Sequence, residues 1–116
     1  MAERKRVVWN GNHFKVPPFT EAGQMEAGTL LRLLQEGEAL GPPQAKPLPA
    51  VGPRCGELRV RDAQHNWRIV YHIDDDFVVI LDVFAKTSPQ AQKQSIARCQ
   101  KRLAEYLALK AANEEE

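Results

Sequence analysis

Three short strand-like runs follow one another in residues 56–84, whose sequence is GELRVRDAQHNWRIVYHIDDDFVVILDVF. We predict strands at 58–61, 67–73 and 77–84, separated by polar turns at 62–66 and 74–76. Connections this short join neighbouring strands in the antiparallel sense, so the runs predict a meander with the second strand in the middle. The third run is apolar along nearly its whole length, which is typical of a strand covered on both faces.

The segment before the meander predicts a short strand, a helix and a loop. Val7-Val8-Trp9 is a short apolar run that we interpret as an edge strand, with turn residues at 10–12 and a helix-blocking proline pair at 17–18. Thr20 suits the N-cap of a helix that stops at Gly37. Its apolar residues recur at helical spacing, at Ala22, Met25, Leu30, Leu33 and Leu34. Five prolines in residues 41–53 predict a loop there.

A second helix follows Pro89 and completes the domain. Its apolar stripe consists of Ile96, Cys99, Leu103, Tyr106 and Leu107, and we expect residues 110–116 to fray. The predicted fold class is therefore α+β: a small antiparallel sheet of about four strands, packed by an N-terminal helical region and a C-terminal helix. At 116 residues the chain suits a single domain, 1–116.

Several functional classes are disfavoured by composition. No run of about 18 apolar residues predicts a membrane span, and the charged N-terminus lacks the apolar stretch of a signal peptide, so we expect a cytoplasmic protein. Cys55 and Cys99 are far apart in sequence, and the three histidines show no ligand spacing, so we expect thiols, no metal and no cofactor. Cys99 suits the core, whereas the role of Cys55 stays open.

Charge is unevenly distributed although the net charge is only +1. Residues 84–110 contain six cations and a single acid, Glu105. The six are Lys86, Lys93, Arg98, Lys101, Arg102 and Lys110. The neutral total therefore hides a basic half, which favours an anionic partner.

The first two strands of the meander carry three arginines. Arg59 and Arg61 alternate with apolar residues and therefore share one face, while Arg68 follows on the next strand and Lys86 ends the third. These residues have two interpretations: ordinary strand cations paired with Glu57 or Asp62, or an anion site. A meander brings all four cations to one region of the sheet, and because like charges repel, that convergence favours a phosphate or carboxylate ligand.

The aromatic and acidic residues of the meander have less specific interpretations. By strand parity His72 shares the face of Arg68, whereas Tyr71 shares that of Trp67, and we expect both Tyr71 and Trp67 in the core. His65 lies in a predicted turn, either as a free acid–base group or as an ordinary exposed histidine. We interpret the aspartates at 74–76 as a solvated turn, because three consecutive turn residues cannot all converge on one ion.

The motifs of this segment, taken in order, resemble the RelE/ParE toxin superfamily, and most of all its phage-derived, HigB-type branch. A Pro/Gly loop precedes Glu57-Leu58-Arg59, then come Trp67-Arg68-Ile69-Val70-Tyr71 and Phe84-Ala85-Lys86. The resemblance covers roughly residues 47–106, with weaker similarity before them. It implies a small bacterial toxin with a helix-packed, RelE-like sheet, whose partner is a helix-turn-helix, HigA-like antitoxin.

The resemblance also implies an activity and its residues. RelE-like members cut mRNA in the ribosomal A site, so the ribosome and mRNA are implied partners. The implied catalytic residues are Lys86 as general base, Arg68 as phosphate stabiliser or leaving-group acid, and Arg61, which with Arg59 positions the RNA backbone. We also expect Arg54, His65, Lys93 and Arg98 to contact RNA.

The alternative is a non-catalytic protein. This would be a ParE-like inhibitor of DNA gyrase or a degenerate phage-derived binding protein. A neighbouring reading frame for a helix-turn-helix protein would favour the toxin.

Overall fold

The computed structural model describes residues 4–9 and 19–114, and in them five strands and two helices form an α+β fold. In chain order the elements are β1 (Arg6–Trp9), α1 (Glu21–Gln35), β2 (Ala45–Pro47), β3 (Cys55–Asp62), β4 (His65–Ile73), β5 (Phe77–Ala85) and α2 (Pro89–Glu114). The predicted fold class is confirmed. The expected turn at 10–12, the proline pair at 17–18 and residues 115–116 lie outside the described residues.

The sheet has the order β1-β5-β4-β3-β2, so the meander β3-β4-β5 occupies its centre as predicted. It differs from a four-stranded antiparallel sheet at both edges. β1 is an edge strand, as expected, but it runs parallel to β5, with Val7 opposite Val78. β2 lies within the predicted loop, where only three residues pair with β3. Pro47 is tolerated there because an edge strand does not need every N–H.

The two helices cover opposite faces of this sheet. α1 packs on the face that carries Leu58, Val60 and Ile69, together with Trp67 and Tyr71, which are both in the core as expected. α2 packs on the other face. Cys99 and Leu103 of α2 contact a cluster that includes Val70, Val79 and Leu81. β5 therefore has both faces covered, in agreement with its apolar sequence.

α1 has the predicted ends but a different buried face. Thr20 accepts a hydrogen bond from the Gly23 N–H at 3.2 Å, and Gly37, with φ of +86°, closes a Schellman motif at the other end. The buried residues of α1 are Gly23, Ala27, Leu30 and Leu34. Met25 is 69% exposed, so placing it on the buried face of α1 was wrong. Gly23 faces Asp62 at the end of β3. A larger residue would not fit there, because a Cβ would lie 2.5 Å from the Asp62 carboxyl carbon.

The hairpin between β3 and β4 is tighter than expected. Asp62 and His65 are paired, which leaves only Ala63 and Gln64 in the loop, with Ala63 at φ of 53°. The Asp62 carboxylate accepts hydrogen bonds from the N–H and the hydroxyl of Thr20. It therefore fixes the start of α1 against the sheet.

The turn after β4 is only partly solvated. Asp75 and Asp76 are exposed, but Asp74 is 4% exposed, which corrects the expectation of a solvated turn. Asp74 accepts hydrogen bonds from the Tyr106 hydroxyl and from Lys110, the latter at 2.6 Å. α2 extends to Glu114, and fraying of its last residues stays a prediction.

The buried side of α2 differs slightly from the predicted apolar stripe. Leu107, which we placed on the apolar stripe, is 41% exposed, whereas Ser95 is buried on the sheet side of the helix. In residues 4–9 and 19–114, neither helix is long and apolar enough to cross a bilayer.

Candidate functional site

Five cations converge at one end of the face that α2 covers. Arg59 and Arg68 are directly opposite each other on β3 and β4, and Arg61 follows two residues further along the same face of β3. The Lys86 N–H donates to the Asn66 carbonyl at 2.8 Å, which holds the end of β5 beside β4, and Lys93 comes from the second turn of α2. We call the depression that Arg59, Arg61, Arg68, Lys86 and Lys93 line the basic cleft.

The basic cleft is open because α2 covers only part of this face. The helix packs over Val70, Val79 and Leu81 and begins at Pro89, beside the strand ends. Two adjoining hollows of about 610 and 430 Å³ remain, and both are lined by Asn66 and Arg68. Thr87, Ser88 and Pro89 line the larger hollow, where the first turn of α2 adds the positive end of a helix dipole.

A buried carboxylate lies beneath the arginines. Glu57 is 1% exposed, and its Oε1 lies 3.6 Å from Arg59 Nη2 and 3.8 Å from Arg68 Nε. Gln92 of α2 donates a hydrogen bond from Nε2 to Glu57 Oε2 at 3.1 Å. The expected pairing with Glu57 therefore occurs, but only for two of the four cations; Asp62 is instead engaged by Thr20.

The other three cations of the basic cleft are free to bind a ligand. Within the part of the chain that the structure describes, Arg61, Lys86 and Lys93 form no ion pair, and all three are exposed. Arg59 and Arg68 are less accessible, with side chains that are 34% and 13% exposed. Burial lowers the pKa of Arg68, an effect that Glu57 opposes and Arg59 reinforces. Such a set of partly buried and exposed cations can bind phosphate groups.

Three residues expected at the RNA interface lie elsewhere. Arg54 precedes β3 at its opposite end, about 20 Å along the strand from Arg61, and pairs with Asp75 at 3.2 Å. Arg98 holds α2 to β5 through Asp82, at 2.8 Å, and does not line the basic cleft. His65 stacks on Trp67, so it lies on the sheet face opposite the arginines. The geometry does not bring these three residues to the basic cleft, and their contacts with RNA stay predictions.

His72 lies on the same face as Arg68, as strand parity predicted, but α2 covers it. Its Nδ1 is 3.0 Å from the Pro53 carbonyl and 3.5 Å from Cys55 Sγ, and its ring contacts Tyr106. Burial lowers the pKa of His72 and raises that of Cys55 to about 11, so both groups are neutral near pH 7. A buried neutral thiol is a poor nucleophile. The described residues contain no cluster of three or more His, Cys, Asp or Glu that could bind a metal.

Sequence reasoning missed the roles of Glu57 and Gln92 in building this site. Glu57 occurs in the pattern Glu-Leu-Arg-Val-Arg, where strand alternation places its carboxylate on the same face as both arginines. That signal was present, and it indicated pairing, but not that the carboxylate is buried. The approach of Gln92 has no counterpart in the sequence, because it depends on where α2 crosses the sheet.

Comparison with known proteins identifies a family. The model of the family described as phage derived protein Gp49-like (DUF891) matches residues 18–104, which begins well before the segment that carried the resemblance. No curated protein and no solved structure matches the chain significantly. The phage-derived part of the resemblance is confirmed, whereas the HigB-type branch stays a prediction. On this match over most of its length, the chain belongs to the phage-derived Gp49-like family.

Proposed function

We propose that this protein is the toxin of a type II toxin–antitoxin pair and that it cuts mRNA on the ribosome. One observation carries the proposal: five cations converge on the basic cleft, and three of them have no ion-pair partner among the described residues. Membership of a phage-derived family agrees with this assignment. The open cleft at a sheet end suits an extended, single-stranded polyanion better than a small enclosed ligand.

The reaction uses the RNA as its own nucleophile. A ribose 2′-oxygen attacks the adjacent phosphorus, the bond from phosphorus to the 5′-oxygen breaks, and the products are a 2′,3′-cyclic phosphate and a 5′-hydroxyl. The 2′-OH proton leaves to a base, and a proton is delivered to the departing 5′-oxygen. Negative charge accumulates on the phosphoryl oxygens, where fixed guanidinium groups stabilise it most effectively.

Each cation has a role in this proposal. Lys86 is the group that accepts the 2′-OH proton, and Arg68 stabilises the phosphoryl oxygens or protonates the leaving group. Arg68 suits that position because its side chain is only 13% exposed and lies beside the buried Glu57. Arg59 and Arg61 hold the RNA backbone in the smaller hollow, and Lys93 binds a phosphate at the mouth of the larger one.

The proposed partners follow from the same charges. A HigA-like antitoxin with a helix-turn-helix domain would neutralise the toxin, and an acidic segment of that antitoxin is the complementary cover for the basic cleft. In the cytoplasm, the ribosome would supply and orient the mRNA.

The test is mRNA cleavage on programmed ribosomes with purified protein. We expect wild type to cut and Lys86→Ala and Arg68→Ala each to lose about 100-fold or more in rate, as when a transition-state donor or base is removed. Lys101→Ala is the matched control, because Lys101 is an exposed α2 lysine outside the basic cleft. Equal loss in the control would contradict the site assignment.

The same experiment separates the alternative. If folded wild type and both variants leave mRNA intact, while expression in cells induces the SOS response, the protein is a gyrase inhibitor. If neither effect occurs, it is a binding protein that lacks catalysis.

A further inference from the structure

Arg59 and Arg68 form an arrangement that needs an explanation beyond their charge. They are direct cross-strand partners in β3 and β4, so two permanent positive charges lie side by side on one face. Like charges directly opposite each other destabilise a sheet pair. In a protein with no anion bound, such a pair would splay apart unless something balanced it.

Glu57 supplies that balance from below. Its Oε1 faces both guanidinium groups, at 3.6 Å from Arg59 and 3.8 Å from Arg68, and its other oxygen is held by the Gln92 amide. The carboxylate is completely shielded from solvent, so its charge is weakly screened. β3 places it there because residues two apart on a strand share a face.

Glu57 balances the charge of the two arginines without accepting hydrogen bonds from them. Both separations are ion-pair distances and exceed hydrogen-bond lengths, so Glu57 attracts the guanidiniums without accepting their N–H groups. The Nε atoms of Arg59 and Arg68 are buried and have no acceptor among the described residues. A buried donor without an acceptor is rare in folded proteins, so the nearby charge of Glu57 is what compensates these two groups.

We infer that Glu57 is a positioning residue that assembles Arg59 and Arg68 into a rigid anion-binding pair in the free protein, before RNA arrives. Preorganised donors stabilise a transition state because no reorganisation is needed during the reaction. The part of this inference that concerns turnover rests on the proposed nuclease activity, whereas the part that concerns the arginines does not. It yields an unusual expectation: removal of the Glu57 charge makes the cleft more positive but less ordered.

The test uses Glu57→Gln. This change keeps the shape of the side chain and an oxygen that can accept the hydrogen bond from Gln92, but it removes the charge. In wild type without ligand, we expect the Nε–H groups of Arg59 and Arg68 to be ordered by ¹⁵N relaxation, and that of exposed Arg61 to be mobile. In the variant, Arg59 and Arg68 should become mobile. Glu105→Gln is the control, because Glu105 is exposed on α2 and loses the same charge.

Binding and turnover should then separate. Titration with inorganic phosphate should show affinity unchanged or increased about twofold in Glu57→Gln, while cleavage on programmed ribosomes falls by about tenfold or more. A merely structural role would lower both. Mobile Arg59 and Arg68 in wild type would overturn the inference, even if the variant did not fold, and so would unchanged order in a folded variant. Order that depends on Glu57, without cleavage by either protein, would support the positioning and refute the nuclease.

Discussion

The hydrogen bonds that Asp74 accepts from the end of α2 predict a loss of stability in acid. Asp74 is buried after β4, and burial alone would raise its pKa. Hydrogen bonds from Lys110, Tyr106 and the Asp75 N–H outweigh that effect and lower the pKa of Asp74 from 3.8 to about 2. Because the folded value lies below the unfolded value, the stabilisation is present above pH 4 and is lost as the pH falls towards 2.

The size of this effect follows from the two pKa values. The lowering of the Asp74 pKa from 3.8 to about 2 corresponds to about 2–3 kcal/mol of unfolding free energy at pH 7. The same linkage leaves roughly half of this stabilisation at pH 3 and little of it at pH 2. We therefore expect Asp74→Asn to be about 2–3 kcal/mol less stable than wild type at pH 7, and the two stabilities to approach each other in acid.

Urea unfolding followed by circular dichroism, at pH 7, 5 and 3, measures this difference. Asp76→Asn is the matched control, because Asp76 is an exposed carboxylate in the same turn, and it should change stability by less than about 0.5 kcal/mol at every pH. A difference between Asp74→Asn and wild type that stays constant from pH 7 to pH 3 would refute the electrostatic argument, as would an equal effect in the control.

Two further pairs of variants test the fold and the interface. Gly23→Ala should lower the unfolding free energy in urea by about 1–3 kcal/mol, because its Cβ would collide with the Asp62 carboxylate. Gly28→Ala, which has open space around it, should raise the unfolding free energy by about 0.5–1 kcal/mol. The reverse order would contradict the packing of α1. Arg61→Ala should weaken binding of single-stranded RNA in fluorescence anisotropy, and the slope of log binding constant against log salt concentration should become shallower by roughly 0.7. Arg54→Ala should leave the affinity and this slope unchanged. Equal effects of the two variants would place the RNA elsewhere.

Local pattern was enough to predict the meander and its faces. Period-two alternation in 58–61 and 67–73 determined which side chains share a face, so the convergence of Arg59, Arg61 and Arg68 could be predicted and is observed. The ends of α1 were also predictable, because Thr20 and Gly37 form caps through contacts within a few residues.

The edges of the sheet were not predictable in the same way. β2 has three residues, too few for a periodic signal, and it forms because β3 offers unpaired edge groups to a proline-rich segment. The parallel pairing of β1 with β5 joins residues far apart in the chain, such as Val7 and Val78, so no local pattern indicates it. Met25 was misleading because helical spacing shows that a residue can be buried, but not which face the sheet contacts.

By itself the sequence determined both helices, β1, the three central strands with their order, and the side of the sheet that carries the arginines, since these follow from interactions between near neighbours. Only the tertiary structure decided which cations line the basic cleft. It placed Lys93 and Gln92 beside β3 and β4, engaged Arg98 with Asp82, and buried Glu57 beneath two arginines. Those outcomes depend on where α2 crosses the sheet, and that crossing is set by packing between residues far apart in the chain.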